Sequence, residues 1–332
     1  MVSRSAGNQN VSSTQVISSM HQDYIHGVAF DIYGRRMATC SGDRFVRVWD
    51  LTDSGNWRMV GEWQGHRGSV SMMCWGHPEF GNLIATAGSD HEAKIFEERT
   101  NANSAASRWT AKAQLTEARK AVSCVEFAPR HWGLKLATGS ADGCVRIYEA
   151  VDVMNLAQWA NASTLQCFGD GLGVTCLSWS TGRFEPPTLV VGGDHPIVFR
   201  YSETSRQWKS IIVLPPPLVG EVLDVAWAPN VGRRYHYIAA AEGKQLRIFK
   251  LSRGGDGEGD TLELEATQTI QVSNAWRCQW NVTGTVLACS GDRGVVQMWK
   301  SDFEGNFQCV SSIKGNVSQV ATHAECGTTT TT

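Results

Sequence analysis

The feature that most constrains this chain is a tight turn that recurs at nearly constant spacing. In its first copy an apolar segment, Met37 to Cys40, leads through Ser-Gly-Asp into a second apolar segment that ends at Trp49. Such a pattern predicts two short strands joined by a tight turn. The equivalent turn of every copy carries an acidic residue: Asp43, Asp90, Asp142, Asp194, Glu242 and Asp292. The gaps between these acids are 47, 52, 52, 48 and 50 residues.

Each copy also carries a first strand before the turn and a more polar fourth strand after it. The first strands end at equivalent aromatic residues: Phe30, Trp75, Phe127, Trp179, Trp227 and Trp280. A period near 50 residues with four short strands per period is typical of a β-propeller of WD-repeat type. The sequence therefore predicts an all-β, six-bladed WD-repeat β-propeller. A doubly wound fold is excluded because no copy has an amphipathic helix between its strands.

Composition narrows the class of protein further. Apolar residues make up 42% of the chain and charged residues 19%, and the net charge is −2. This balance argues against direct binding to nucleic acid. The chain has no apolar stretch long enough to span a bilayer and no secretory signal at its start, so we expect no direct membrane insertion. Most of the ten cysteines fall inside apolar strand segments without C-x-x-C spacing, which predicts free buried thiols in the cytosol or nucleus.

The turn acids could be read as catalytic carboxylates, but a structural role explains them better. An aspartate in a tight turn accepts hydrogen bonds from nearby backbone N–H groups, and equivalent turns around a ring cannot converge on one substrate. The acids predicted to hold their turns are Asp43, Asp90, Asp142, Asp194 and Asp292. By the same reasoning His66 should hydrogen-bond Asp90. No metal-ligand spacing or nucleotide-binding motif occurs, so the sequence predicts no enzyme activity, no cofactor and no metal site.

Counting strands leaves one segment over, Thr14 to Met20. Six complete blades already use the other strands, and a lone strand with unpaired backbone groups is costly. We therefore expect an open propeller whose surplus strand joins a seventh blade supplied by a partner chain. The predicted organisation is a flexible tail at 1–13, the surplus strand at 14–20, the propeller at 21–315 and a disordered tail at 316–332.

Several segments resemble the Seh-type nucleoporin family, WD-repeat homologues of the Sec-thirteen coat propeller. They are Arg35 to Asp43, Trp75 to Gly81, Leu136 to Ala150, Asp152 to Trp159 and Asn281 to Asp292. The resemblance covers nearly everything from Thr14 to Asn316, and Asp152 to Trp159 is its most specific part. The segment from Val153 to Ala160 could form a helical turn or two.

The resemblance implies a scaffold subunit of the nuclear pore Y-shaped complex at the nuclear envelope, with a part in protein and mRNA transport. An insertion blade from a helical scaffold nucleoporin would complete the open ring. The resemblance also implies membership of a GATOR-type nutrient-signalling complex, at the lysosomal or vacuolar membrane surface. Carried over by position, the residues that would meet the inserted blade are Val16, Ile17, Val28, Phe30, Trp276, Cys278 and Trp280.

A second function class stays open at this point. A peptide-reading WD-repeat adaptor of a ubiquitin ligase or chromatin complex would use the mouth of the central channel. A closed ring would favour that alternative, whereas an open ring with a surplus strand favours insertion of a partner's blade.

Overall fold

The computed structural model describes residues 16–99, 108–169, 171–254, 261–302 and 305–315. The predicted tails at 1–13 and 316–332, and the first two residues of the predicted N-terminal strand, lie outside these ranges. Strands dominate the described chain, with three one-turn 3-10 helices at Pro78–Phe80, Arg130–Trp132 and Asp292–Gly294. None of the described helices has the length and apolarity needed to cross a bilayer.

Four sheets contain four antiparallel strands each, and each sheet corresponds to one sequence repeat. The first contains β1 (Ile25–Phe30), β2 (Arg36–Ser41), β3 (Phe45–Leu51) and β4 (Trp57–Gln64). The second contains β5 (Val70–Trp75), β6 (Leu83–Gly88), β7 (Ala93–Glu98) and β8 (Trp109–Leu115). The third contains β9 (Val122–Phe127), β10 (Lys135–Ser140), β11 (Cys144–Asp152) and β12 (Asn155–Gln166). The fourth contains β13 (Cys176–Trp179), β14 (Thr188–Gly192), β15 (Ile197–Ser202) and β16 (Gln207–Val213).

A fifth sheet of six strands holds the last two repeats together. Its strands are β17 (Asp224–Trp227), β18 (Tyr235–Arg253), β19 (Leu262–Trp280), β20 (Val286–Gly291), β21 (Val295–Ser301) and β22 (Phe307–Lys314). Strand β18 contains the second and third segments of the fifth repeat, and β19 contains its fourth segment and the first segment of the sixth. The prediction of six separate blades is therefore wrong, since the described ranges form five sheets. The reason is that Gly243 pairs with Ala275, which carries the strand pairing from one repeat into the next.

The core lies between successive repeats rather than inside any one of them. The innermost strands pack in the order β1, β5, β9, β13, β17 and the last part of β19. Each buried cluster draws on two neighbouring repeats; for example, Val125 of the third repeat packs in one cluster with Ala85 and Ile95 of the second. Apolar side chains on both faces of each sheet are thus buried only where a neighbouring repeat covers them.

The third repeat differs from the sequence-based expectation in its outer half. The predicted helical turn from Val153 to Ala160 is wrong, because β11 and β12 form a long hairpin through this segment. Asp152 pairs with Asn155, and Ala150 pairs with Trp159 across the hairpin. Pairing with β11 satisfies the backbone of every second residue, which a one- or two-turn helix cannot do as completely.

The described part of the predicted N-terminal strand, residues 16–20, is not a strand. Val16 and Met20 are exposed, and Met20 has a positive φ of 56°. A β-strand exists only where a neighbouring strand exchanges hydrogen bonds with it, and these residues pair with no strand of the described chain. The isolated chain therefore forms no strand here, and a strand in a blade completed by a partner stays a prediction.

Candidate partner-binding edge

One position of the first strand distinguishes the first repeat from all the others. Val28 is 55% exposed, whereas its equivalents in the other first strands are at most 8% exposed. These equivalents are Met73, Val125, Leu177, Val225 and Cys278. In the other repeats this side chain packs against the preceding repeat, as Val125 does. Val28 has no preceding repeat in the described chain, so an apolar side chain that elsewhere belongs to the core faces solvent.

Neighbouring apolar side chains extend this exposed surface. Phe30, two residues along β1, is 54% exposed and touches Trp57 edge to face, with 5.8 Å between ring centroids. Ile32 and Tyr33 are exposed in the turn that follows. The exposed apolar side chains of this face therefore lie along β1 and the turn after it, whereas Met37 and Trp49 on the same face of β2 and β3 are buried.

The sixth repeat is exposed at the opposite end of the series. Ala288 and Met298 are only half-buried, whereas the equivalent pairs in the first five repeats are at most 2% exposed. Those pairs are Ala38 and Val48, Ala85 and Ile95, Ala137 and Ile147, Val190 and Val198, and Ala239 and Ile248. In those repeats this face packs on the following repeat. We call the face of β1 with Val28 and Phe30, together with the face of the sixth repeat with Ala288 and Met298, the open edge.

The residues predicted to meet an inserted blade divide into two groups. Val16, Val28, Phe30 and Trp276 are exposed and Ile17 is half-buried. Cys278 and Trp280 are buried, and for them the prediction is wrong.

The cause is the place of these two side chains in the first strand of their repeat. Cys278 is the equivalent of Met73, Val125, Leu177 and Val225, and like them it packs against the preceding repeat, here the fifth. The Trp280 indole likewise donates a hydrogen bond of 3.1 Å to the Ala226 carbonyl of the fifth repeat. Trp276 differs because it lies at a β-bulge: Ala275 pairs with Gly291 and Arg277 with Ser290, so Trp276 is an extra residue in the strand.

Trp276 is held in its exposed position by the last turn acid. Its indole N–H donates to the Asp292 carboxylate at 2.6 Å, and the Asn274 side-chain amide donates to the same carboxylate at 2.5 Å. Asp292 therefore positions an aromatic side chain at the open edge, a contact that a simple turn-holding role does not include.

The first turn acid joins the N-terminal segment to the first repeat. Asp43 accepts hydrogen bonds from the backbone N–H groups of Phe45 and Gln22 and lies 2.8 Å from Nδ1 of His21. The other ring nitrogen of His21 lies 2.9 Å from the Thr39 hydroxyl. Burial raises the pKa of Asp43, but these hydrogen bonds outweigh it and lower the pKa to about 2. His21 was missed at the sequence level, although its spacing to Asp43 is close to that of His66 to Asp90.

The second and third turn acids have similar surroundings. His66 contributes Nδ1 at 2.8 Å to Asp90 and Nε2 at 2.7 Å to the Thr86 hydroxyl. Asp142 accepts hydrogen bonds from the backbone of Arg119 and Cys144 and forms an ion pair with Arg146. Burial raises the pKa of Asp142, and the Arg146 hydrogen bond with the backbone donors lowers it to about 2.

The fourth and fifth turns differ from these. Asp194 is exposed and lies 3.1 Å from the ring of the adjacent His195. In the fifth turn the Glu242 carboxylate accepts hydrogen bonds from the Arg247 guanidinium, in place of backbone donors. The turn acids thus occupy separate turns, where each satisfies local donors.

One group of side chains has the composition of a metal site. Ligand atoms of His66, Asp90 and Glu92 lie within 4.8 Å of one another. Both ring nitrogens of His66 are already engaged, by Asp90 and by Thr86, so the group is the second turn with its hydrogen bonds complete.

A set of hydrogen bonds that the sequence did not suggest joins the innermost strands. Side chains of one repeat accept from backbone N–H groups of the next: Glu126 from Trp179 at 3.2 Å, Ser178 from Trp227 at 3.2 Å and Asp224 from Cys278 at 2.9 Å. Burial raises the pKa of Glu126 to about 8 and that of Asp224 to about 6. These bonds fix the third repeat to the fourth, the fourth to the fifth and the fifth to the sixth.

Comparison with known proteins places these features in a family. The model of the WD domain, G-beta repeat, matches residues 13–50, 57–97 and 109–149. The second and third matches each begin at the outer strand of one sheet, β4 or β8, and end in the third strand of the next. The first match begins at residue 13, ahead of β1.

Curated relatives match over almost the whole chain. Nucleoporin SEH1 of Homo sapiens is 40% identical over 334 residues, which cover 94% of this chain and 91% of the relative. Nucleoporin SEH1-A of Xenopus laevis is 40% identical, with 90% and 88% covered. Nucleoporin SEH1 of Danio rerio is 39% identical, with 92% and 88% covered. The chain belongs to the SEH1 family of WD-repeat nucleoporins.

Proposed function

We propose that this protein is a scaffold subunit of the nuclear pore Y-shaped complex, and that a helical scaffold nucleoporin inserts a blade at the open edge. The observation that carries the proposal is the exposure of Val28, at a position that is buried in every other repeat. A partner's blade would supply the preceding repeat that Val28 lacks and the following repeat that Ala288 and Met298 lack.

Burial of these side chains would drive the association. Full burial of a Val or Phe side chain is worth about 1.5–3 kcal/mol, so Val28 and Phe30 alone would contribute several kcal/mol before the costs of association. Backbone pairing adds to this, because β-strand addition gives affinity through main-chain hydrogen bonds.

Residues 16–20 would become the outer strand of the inserted blade. The family match supports this, because it begins at residue 13 and its second and third copies begin at an outer strand. Their exposure alternates with a period of two, with Ile17 and Ser19 half-buried between exposed neighbours. His21 contacts Asp43 and Thr39 and so holds this segment against the first repeat. The segment would therefore need little movement to pair with a partner strand.

The names of the relatives support the nuclear pore and the nuclear envelope as the place of action. The resemblance adds two finer proposals, membership of a GATOR-type nutrient-signalling complex and a location at the lysosomal or vacuolar surface. Both would use the same open edge, since a second partner would need to fill the same vacancy.

Co-expression with the candidate helical nucleoporin tests the proposal. We expect Val28→Asp to weaken co-purification more than tenfold, because a carboxylate would replace a buried methyl pair in the interface. Deletion of residues 1–20 should weaken the complex as well. Met154→Asp is the matched control, since Met154 is 93% exposed at the tip of the β11–β12 hairpin.

Two results would contradict the proposal. One is a complex that tolerates Val28→Asp as well as Met154→Asp. The other is binding that depends instead on residues at the mouth of the central channel, which would favour the peptide-reading adaptor.

A further inference from the structure

Two adjoining cavities lie on the third, fourth and fifth repeats, away from the open edge. The first has a volume of about 860 Å³ between the third and fourth repeats, and the second about 480 Å³ between the fourth and fifth. Glu185 lines both, in the loop between β13 and β14. We call the two cavities together the side groove.

Aromatic side chains form much of the first cavity. Trp132, Tyr201 and Trp208 are half-buried in its wall, and Trp179 lies behind them. The ring centroids of Trp179 and Trp208 are 5.8 Å apart, and those of Tyr201 and Trp208 are 5.7 Å apart. Phe184, at the rim, is 95% exposed. These walls suit an apolar side chain of a ligand.

The side groove is positively charged although the chain as a whole has a net charge of −2. Its cationic lining residues are Lys135, Arg183, Arg206, Arg233, Arg234 and Arg253, and its acidic lining residues are Glu149, Glu185 and Glu203. Lys135 pairs with Glu149, and Arg253 pairs with Glu185.

Arg183, Arg206 and Arg234 form no ion pair with any carboxylate in the described part of the chain. Their charges are available to an anionic ligand.

The buried carboxylate of Glu185 lies at the junction of the two cavities. Oε1 of Glu185 bonds Arg253 at 2.9 Å and lies 3.3 Å from Nε2 of His236. Oε2 of Glu185 and Nδ1 of His236 are buried, and neither has a hydrogen-bond partner among the described residues. His236 is only 1% exposed, so its ring is fixed in place beneath the groove. Burial raises the pKa of Glu185, but His236 and Arg253 lower it to about 2, so the carboxylate is charged and holds Arg253 at the wall of the groove.

We propose that the side groove binds an acidic peptide segment of a partner protein. An apolar side chain of the peptide lies against Trp132 and Trp208, and its carboxylates face Arg183, Arg206 and Arg234. A nucleic acid strand fits less well, because a row of phosphates needs a surface that is basic overall, and this chain has a net charge of −2. This inference is independent of the proposed function, since the groove shares no repeat with the open edge.

The test uses the full chain and a fluorescein-labelled dodecapeptide with glutamates on both sides of a central Leu-Phe pair. Fluorescence anisotropy should show saturable binding with a Kd on the order of 10–100 μM. Arg183→Glu combined with Arg206→Glu should weaken binding about tenfold or more, since two attractive charges become repulsive. Phe184→Ser should weaken it about threefold through lost apolar contact.

Lys244→Glu is the matched control for the charge change. Lys244 is exposed and lines neither cavity, so this variant should bind the peptide as the parent chain does. Thermal unfolding of each variant would show that the fold is intact.

Three results would overturn the proposal. The first is no saturable binding up to millimolar peptide. The second is an equal loss of affinity in Lys244→Glu and in the double variant. The third is equal binding of an oligouridylate of the same length, or of a peptide with Gly-Ser in place of Leu-Phe, which would mean that the surface attracts anions without recognising a peptide.

Discussion

Val125 and Val28 are valines at equivalent positions of two repeats, but one is buried and the other is exposed. Val125 is 3% exposed in the junction between the second and third repeats, whereas Val28 is 55% exposed at the open edge. The local strand geometry is shared, since both are in the antiparallel first strand of a four-stranded sheet. The difference comes only from the presence or absence of a preceding repeat. Burial in this fold is therefore a property of junctions, and an unfilled junction leaves a core position exposed.

The largest expected difference between a junction and the open edge is in the loss of stability when each valine is replaced by aspartate. We expect Val125→Asp to lower the free energy of unfolding by about 4 kcal/mol, because it buries an unpaired carboxylate. Val28→Asp should change it by less than about 0.5 kcal/mol in the isolated chain. Urea unfolding followed by tryptophan fluorescence measures both. Equal losses would mean that the first repeat is covered in solution.

The junction that the first repeat does make, with the second, depends on a charged network. Glu98 accepts from Arg36 at 2.7 and 2.9 Å and from Arg108 at 2.5 Å, and its side chain is almost fully buried. Glu98→Gln should destabilise the protein by about 2–3 kcal/mol, because Arg108 loses its counter-charge and Arg36 keeps only Asp50. Glu97→Gln is the control, since its pair with Lys112 is partly exposed and worth at most about 1 kcal/mol. Urea unfolding of the two variants that gave equal losses would contradict this account of the junction.

The stability of the junction between the third and fourth repeats should depend on pH between 4.5 and about 8. The folded-state pKa of Glu126 is raised to about 8 from 4.5, so its contribution to stability is complete below pH 4.5 and is lost as pH rises toward 8. Glu126→Gln removes this ionisation and should raise the unfolding free energy by about 1–2 kcal/mol at pH 9 relative to the parent chain. At pH 4 the difference should vanish. Unfolding curves at both pH values measure the effect, and a pH-independent difference would refute it.

A small loss of stability is expected when His21, which precedes β1, is replaced. His21→Ala removes the contacts to Asp43 and Thr39 and should cost about 1 kcal/mol. Because these contacts join the N-terminal segment to the first repeat, the amide of Gln22 should exchange with solvent faster by about fivefold. Hydrogen exchange detected by NMR measures this, with an amide of β10 as the internal reference. An unchanged rate at Gln22 would show that His21 does not hold the segment.

The repeat period was sufficient to predict the strands closely. The expected second strand from Met37 to Cys40 lies within β2, and the equivalent turns carry their acids where they were expected. The strand count predicted an open propeller, and the family resemblance added Val28 and Phe30 at its edge, where both are exposed. Periodicity could not reveal that Cys278 and Trp280 face the fifth repeat, because it does not show which neighbour covers a given face of a strand. Nor could it indicate that β19 runs through two repeats, because the repeat spacing does not show that Gly243 pairs with Ala275.

The hydrogen bonds between innermost strands have a direction. At each junction from the third repeat to the sixth, the earlier repeat supplies an accepting side chain and the later one supplies a backbone N–H. These junctions are therefore joined head to tail, and the two sides of the open edge are not interchangeable. A guest that continues the pattern must offer donors to the sixth repeat and acceptors to the first. If a partner's blade is inserted as proposed, a blade in the reverse direction would not continue this pattern, so the orientation of the blade would matter as well as its shape.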